Sequence, residues 1–127
     1  MKVYDTAHVR NLAVVGHGGC GKTTLVSAAL YTAGATPKMG RVEEGSAVTD
    51  FDDQEIQRRF SISAAIGIAE WNKTFKFNFV DTPGYNIFIH EAELAMVAVE
   101  CVLLVVDATA GVEAVSYTHL TLPTILR

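Results

Sequence analysis

The sequence predicts an α/β sandwich on a mostly parallel sheet with one antiparallel strand. Three observations predict it. A short apolar run, Leu12-Ala13-Val14-Val15, stops at a glycine-rich loop, and helical spacing follows. Cys101 to Val106 is continuously apolar, as expected of a strand covered on both faces. Between these runs, period-two stretches and a second helical stretch complete an alternation that places helices on the faces of a sheet.

The elements follow in order. Leu12–Val15 reads as a buried strand ending at Gly16. Beyond the loop, Leu25, Val26, Ala29, Leu30 and Ala33 form one helical stripe. Gly34 stops that helix, with Pro37 shortly after. Thr36-Pro37-Lys38-Met39-Gly40 is turn chemistry. Glu43, Glu44, Asp50, Asp52, Asp53 and Glu55 then crowd a stretch with few bulky apolar residues. Residues 35–60 therefore read as a long exposed loop with a short helix near 52–58. Loops beyond about 12–15 residues are usually functional or disordered. Ile62, Ala64, Ile66 and Ile68 alternate within a strand from Ile62 to Trp71. Phe75, Phe77 and Phe79 alternate within a second, Thr74 to Val80, and Asn72-Lys73 is the hairpin turn between them. Asp81-Thr82-Pro83-Gly84 ends that strand. A helix over Ile87–Val99 carries Ile87, Glu91, Leu94, Ala95 and Ala98 on one face. Cys101–Val106 follows, and Asp107 closes it.

Composition narrows the class. The 127 residues, 50% hydrophobic and 19% charged, make one domain at most and exclude a disordered chain. Ten Lys+Arg against 14 Asp+Glu give a net charge of −4. That argues against a domain whose main task is gripping nucleic acid, so no DNA partner is expected. Cys20 and Cys101 make no disulfide framework and suit a reducing cytosol. Met1–Asn11 carries charges without an apolar core, so no signal peptide is expected. The longest apolar stretch, Leu94–Val106, contains Glu100 and falls short of the ~20 residues a membrane span needs. The expectation is a soluble, cytoplasmic monomer without membrane contact.

Gly16-His17-Gly18-Gly19-Cys20-Gly21-Lys22-Thr23 fits G-x-x-x-x-G-K-[ST] between a predicted strand and a predicted helix. At average residue usage such a match arises by chance in about 0.4% of chains this long. Glycines let the backbone curl so that successive N–H groups point at phosphate oxygens, and the helix N-terminus adds partial positive charge. Lys22 supplies a full charge between β- and γ-phosphates. The Thr23 hydroxyl is a hard oxygen ligand suited to Mg²⁺. Gly16, Gly18 and Gly21 also satisfy a dinucleotide fingerprint. That reading wants an acidic residue at a strand end about 20 residues on, and Glu43 and Glu44 lie in a loop-like stretch. Cys20 reads either as a thiol activated by the helix N-terminus or as a small residue that fits.

Phe77-Asn78-Phe79-Val80-Asp81-Thr82-Pro83-Gly84 is a strand ending in D-T-P-G. An Asp there can sit beside the glycine loop and hold Mg²⁺ through a water. Gly84 lets a backbone N–H approach the γ-phosphate. An Asp-capped turn before a helix is the plainer alternative.

On these residues the chain resembles the N-terminal part of the GTP-binding domain of elongation factor G. The resemblance rests on Asn11-Leu12-Ala13-Val14-Val15-Gly16-His17 into Gly21-Lys22-Thr23-Thr24-Leu25. It continues with Gln54-Glu55 through Arg58, Asp81-Thr82-Pro83-Gly84, Asp107-Ala108 and Gly111-Val112. It implies a P-loop GTPase fold of three layers, with GTP or GDP and Mg²⁺ as ligands and the ribosome as partner. It makes 36–63 switch I and 81–100 switch II, and it implies a truncated domain over residues 1–115. The nucleotide site would comprise Gly16–Thr24 and Asp81–Gly84. Thr23, Ser61 and Asp81 would form the metal site, and Lys22, Gly84 and Tyr85 the catalytic positions.

Three departures stand out. Ser61 occupies the place of a metal-binding switch I threonine, and Arg59 that of a glycine. Tyr85 replaces the histidine that orients the attacking water in this family. A phenol has no imidazole nitrogen and is a poor base at neutral pH. It either positions water weakly or packs without catalytic duty. Third, the guanine-reading N-K-x-D motif is absent, since Asn72-Lys73 continues as Thr74-Phe75 in a hairpin. On this resemblance residues 116–127 are expected to fall outside the family pattern, since Pro123 breaks the helix due there, and the tail reads as foreign. Four functions stay open: a ribosome-dependent GTPase of the translocation step, a GTP-binding switch with little hydrolysis, a non-functional fragment, and a P-loop ATPase.

Overall fold

The computed structural model describes residues 3–49, 53–58, 61–114 and 116–117. Its elements are β1 (Val9–Val15), α1 (Lys22–Thr32), α2 (Asp53–Arg58), β2 (Ala65–Trp71), β3 (Phe75–Asp81), α3 (Ile89–Val97) and β4 (Cys101–Leu104). Short 3₁₀ turns span Thr6–His8, Val42–Glu44 and Asn86–Phe88. The strands form one sheet in the order β2-β3-β1-β4. β1 is parallel to β3 and β4, and β2 is antiparallel to β3. The expected mostly parallel sheet with one antiparallel strand is therefore present.

The two faces of β1 carry the core. Val14 packs with Val26 and Leu30 of α1 and with Ala69, backed by Phe77 and Phe79. Ala13 and Val15 pack with Ala92 and Ala95 of α3, backed by Val80, Met96 and Leu104. Helices on both faces make the three layers. Burying a side chain such as Val26 or Leu30 contributes about 1.5–3 kcal/mol.

The helix stripes are rotated from their expected faces. On α1, Val26 and Leu30 are buried while Leu25 is exposed. On α3, Ala92 and Ala95 face the sheet while Leu94 is 69% exposed, and Ile87, in the turn before the helix, is 80% exposed. The small alanines let α3 lie close over Ala13 and Val15. β2 behaves likewise. Its buried face is Ala65, Gly67 and Ala69, and the alternating Ile66 and Ile68 face outward. Room is short on β2 beneath α1: a Cβ on Gly67 would lie 3.0 Å from a Leu30 methyl.

Element ends also differ from expectation. β1 begins at Val9 because Val9–Val14 find partners along Lys76–Asp81. β2 begins at Ala65 rather than Ile62, leaving 61–64 outside the strand, with a bend at Ser63. α3 begins at Ile89 after the Asn86–Phe88 turn. β4 stops at Leu104, although Val105 N–H still donates to Val15 O at 2.8 Å. Asp107 then closes the segment, its carboxylate accepting from Thr109 N–H and hydroxyl at 2.7 and 2.6 Å. The hairpin falls where expected, with Asn72 and Lys73 at φ 51° and 55°, the left-handed pair that primed turns require. The short helix is α2. Asp50, Asp52, Arg59 and Phe60 lie outside the described residues, as does the tail from 118 to 127.

Candidate functional site

The glycine loop joins β1 to α1, and Gly21 is the hinge between loop and helix. It sits at φ 95°, a left-handed conformation that a side chain would strain. The helix therefore starts at Lys22, with Leu25 N–H donating to Gly21 O at 2.9 Å. The next residue, Thr23, is carried toward the end of β3, where Asp81 stands level with Val14 of the neighbouring parallel strand.

Four hydroxyl and carboxylate side chains meet there. Thr23 Oγ1 donates to Asp81 Oδ2 at 2.7 Å and lies 3.3 Å from Ser61 Oγ. Thr49 Oγ1 donates to the same Asp81 oxygen at 2.9 Å. The structure thus brings Thr23, Ser61 and Asp81 together and adds Thr49. Asp81 and Thr49 are buried, at 1% and 2% exposure. Hydroxyls around one carboxylate form a hard oxygen set, the donor type that suits Mg²⁺ with phosphates completing its shell. Among the described residues no cluster of three or more His, Cys, Asp or Glu side chains competes for a metal.

Lys22 is the cation of the site and is itself buried. Its ammonium donates to His17 O at 2.8 Å across the curl of the loop. Burial pushes its pKa below the ordinary lysine range, and the neighbouring Cys20 and Asp81 push the other way. A buried ammonium with so little compensation favours an anionic ligand. Gly84 is pressed against this group: a Cβ there would collide with Lys22 Nζ and lie 2.5 Å from Gly18 N.

An open cleft of about 220 Å³ lies over these groups. Gly18, Gly19, Gly21, Lys22, Thr23, Thr24, Ser61, Thr82, Gly84 and Tyr85 line it, together with Val42. Gly16, His17, Cys20, Asp81 and Pro83 stand outside this lining. Thr82 reaches the cleft, but its hydroxyl is engaged with Val14 O at 2.7 Å, anchoring the D-T-P-G turn to β1. His17 Nε2 lies 3.2 Å from Glu113 Oε1, which ties the loop to the segment after β4. Tyr85 lies over the glycine loop. Its ring atoms are 2.8–3.2 Å from where a Gly18 Cβ would stand.

Sequence reasoning missed Val42, Thr49 and Glu91. The first two lie in the acidic stretch read as loop, and a lone threonine there carries no motif. Glu91 sits in the first turn of α3, where its carboxylate accepts from Ala64 N–H at 3.3 Å and tethers the segment bearing Ser61. The only local hint was an acidic residue on a predicted apolar face.

The comparisons agree with this geometry. A family model described as the elongation factor Tu GTP binding domain matches residues 7–126. The mitochondrial ribosome-releasing factor 2 of Saccharomyces cerevisiae (strain RM11-1a) is 39% identical over 106 residues, covering 84% of this chain and 13% of that protein. Elongation factor G 2 of Streptomyces coelicolor is 40% identical over 113 residues, covering 89% of this chain and 15% of that protein. The crystal structure of ttk003000868 from Thermus thermophilus superposes with a TM-score of 0.89 at 35% identity, covering 94% of this chain and 18% of that one. The chain therefore spans only a small part of the relatives it matches.

Proposed function

The chain belongs to the family of the elongation factor Tu GTP binding domain, and from that premise we propose that it binds the phosphate end of GTP with Mg²⁺. We place this activity in a ribosome-dependent translation factor of the translocation step, with residues 1–115 forming part of its GTP-binding domain. The observation that carries the reading is the buried Lys22 ammonium, set in the glycine loop beside Asp81 and Gly84. Relatives named elongation factor G 2 and ribosome-releasing factor 2 support the ribosome as partner. The cleft, about 220 Å³, is smaller than the ~300–1,000 Å³ usual for small-molecule pockets and suits a phosphate tail more than a whole nucleotide.

In this reading the N–H groups of Gly18–Gly21 and the N-terminus of α1 receive the phosphates. Lys22 and the Gly84 N–H stabilise charge that develops on the transferring phosphoryl oxygens. Thr23, Asp81 and Ser61 would hold Mg²⁺, which supplies further neutralisation of the phosphates when bound. Among the described residues no helix is long and apolar enough to cross a membrane. We propose the cytoplasm as compartment on the likeness to the bacterial elongation factor G 2, while several other relatives are named mitochondrial.

The test is binding of fluorescent GTP to the wild type and Lys22→Ala, with ATP as competitor. Removing the buried cation lowers affinity at least ~10-fold, taking charged hydrogen bonds at about 1.5–3 kcal/mol. Equal affinity in the two proteins would refute the reading, and displacement by ATP as effective as by GTP is expected here, because the chain carries no N-K-x-D to read guanine. A second reading, a switch with slow turnover, is favoured by the Tyr85 ring resting on Gly18. Single-turnover hydrolysis in Tyr85→His separates the two. A faster rate supports the slow switch, and an unchanged rate argues that Tyr85 does not limit turnover.

A further inference from the structure

The Asp81 carboxylate is held by a residue that no motif marks. Thr23 reaches Asp81 Oδ2 from the start of α1, and Thr49 reaches the same oxygen from the loop before α2. The two hydroxyls have different freedom. Thr23 lines the cleft, so its lone pairs can serve a cation while its hydrogen stays on Oδ2. Thr49 is 2% exposed and does not line the cleft, so its hydroxyl has no such second duty. Asp81 itself is 1% exposed. The terminal torsion of a carboxylate is broad, and a second charge-assisted donor narrows it.

Resting on the reading that a divalent cation accompanies the nucleotide, we propose that Thr49 is a positioning residue of the cation site. Its hydroxyl fixes the Asp81 carboxylate in the orientation that the cation shell requires. It also makes that orientation conditional on the loop being folded over the site, because Thr49 and the cleft-lining Val42 belong to one stretch of chain. Partners that orient ligands in this way typically contribute about 10–100-fold to metal affinity. The cation need not touch Thr49 for this effect to appear.

The experiment titrates Mg²⁺ into the full chain with fluorescent GTP and follows nucleotide binding. Wild type is compared with Thr49→Val, which keeps the shape and removes the hydroxyl, and Thr49→Ser, which keeps the hydroxyl. We expect the Mg²⁺ midpoint of Thr49→Val to rise about 10–100-fold. That of Thr49→Ser stays within about threefold of wild type, and nucleotide affinity in EDTA stays alike in all three, because the proposed role acts only through the metal. A midpoint in Thr49→Val that matches wild type, or falls below it, overturns the proposal. So does an equal loss in EDTA, which marks a general structural role. If Thr49→Val does not fold, Thr49→Ser decides alone: a raised midpoint with intact EDTA binding overturns the hydroxyl argument, and a retained midpoint supports it. A wild type indifferent to Mg²⁺ overturns the metal-assisted reading itself and Thr49 with it. A responsive wild type tracked by Thr49→Val overturns Thr49 alone.

Discussion

Gly84→Ala puts one methyl into the tightest point of the site. Its Cβ would collide with Lys22 Nζ and stand 2.5 Å from Gly18 N and 2.6 Å from the His17 carbonyl carbon. Ordinary contacts of this kind begin at 3.4 Å, so the neighbours must retreat by about 1 Å. Lys22 can swing aside, but the other two atoms are backbone of the glycine loop. The turn cannot retreat easily either, because Thr82 is bonded to Val14 O at 2.7 Å and Pro83 is buried. Overpacking typically costs about 1–3 kcal/mol, and two backbone obstacles place this case near the top of that range. Roughly 2–3 kcal/mol charged to the bound state weakens GTP about 30–150-fold. Charged to the fold instead, it lowers the melting midpoint by about 5–15 °C. Fluorescent-GTP binding and a thermal melt on one preparation read both terms. Affinity within about threefold of wild type together with an unchanged melt would refute the packing argument.

Gly18→Ala makes the contrasting case, because the nearest atoms its new methyl meets are at the tip of the Tyr85 ring rather than on the backbone. The fold tolerates it, and nucleotide release changes in Gly18→Ala but not when Tyr85→Ala is added; stopped-flow dissociation in a double-mutant cycle checks this. Burial lets Lys22 release its proton in the folded chain before the unfolded chain does. The unfolded chain therefore binds more protons as pH climbs toward the ordinary lysine range, and nucleotide-free stability rises with pH there. Denaturant melts of wild type and Lys22→Met across the alkaline range show that rise only in the wild type. Leu30→Ala empties the buried centre beneath β2 and costs about 2–5 kcal/mol, while Ile66→Ala, at 66% exposure, costs under ~1 kcal/mol in the same urea titration.

The phosphate machinery was legible in the sequence because its chemistry dictates its spacing. Lys22 and Thr23 must follow the glycine that opens the helix, and Asp81 must end a strand beside them. The hairpin at Asn72-Lys73 was legible for a similar reason, since few residues accept two left-handed conformations in succession. The packing faces were not legible. Ile66, Ile68, Ile87 and Leu94 looked like core by hydropathy, yet the helices approach over Gly67, Ala69, Ala92 and Ala95. Close approach selects small residues, and a hydropathy pattern weighs them lightly. Thr49 was invisible because its partner lies 32 positions away and only the folded loop joins them.

The central place of β1 has a consequence for synthesis. Val9 pairs with Lys76 and Leu12 with Cys101, so this interior strand of the sheet is made before either neighbour and has no strand to pair with until β3 exists. At elongation rates of about 5–20 residues per second, several seconds separate the emergence of β1 from that of β3. During that interval Ala13, Val14 and Val15, at 0–1% exposure in the finished fold, have nothing to pair with. A nascent chain stalled before Phe75 would present this apolar strand to chaperones, whereas one stalled well beyond Leu104 would have hidden it.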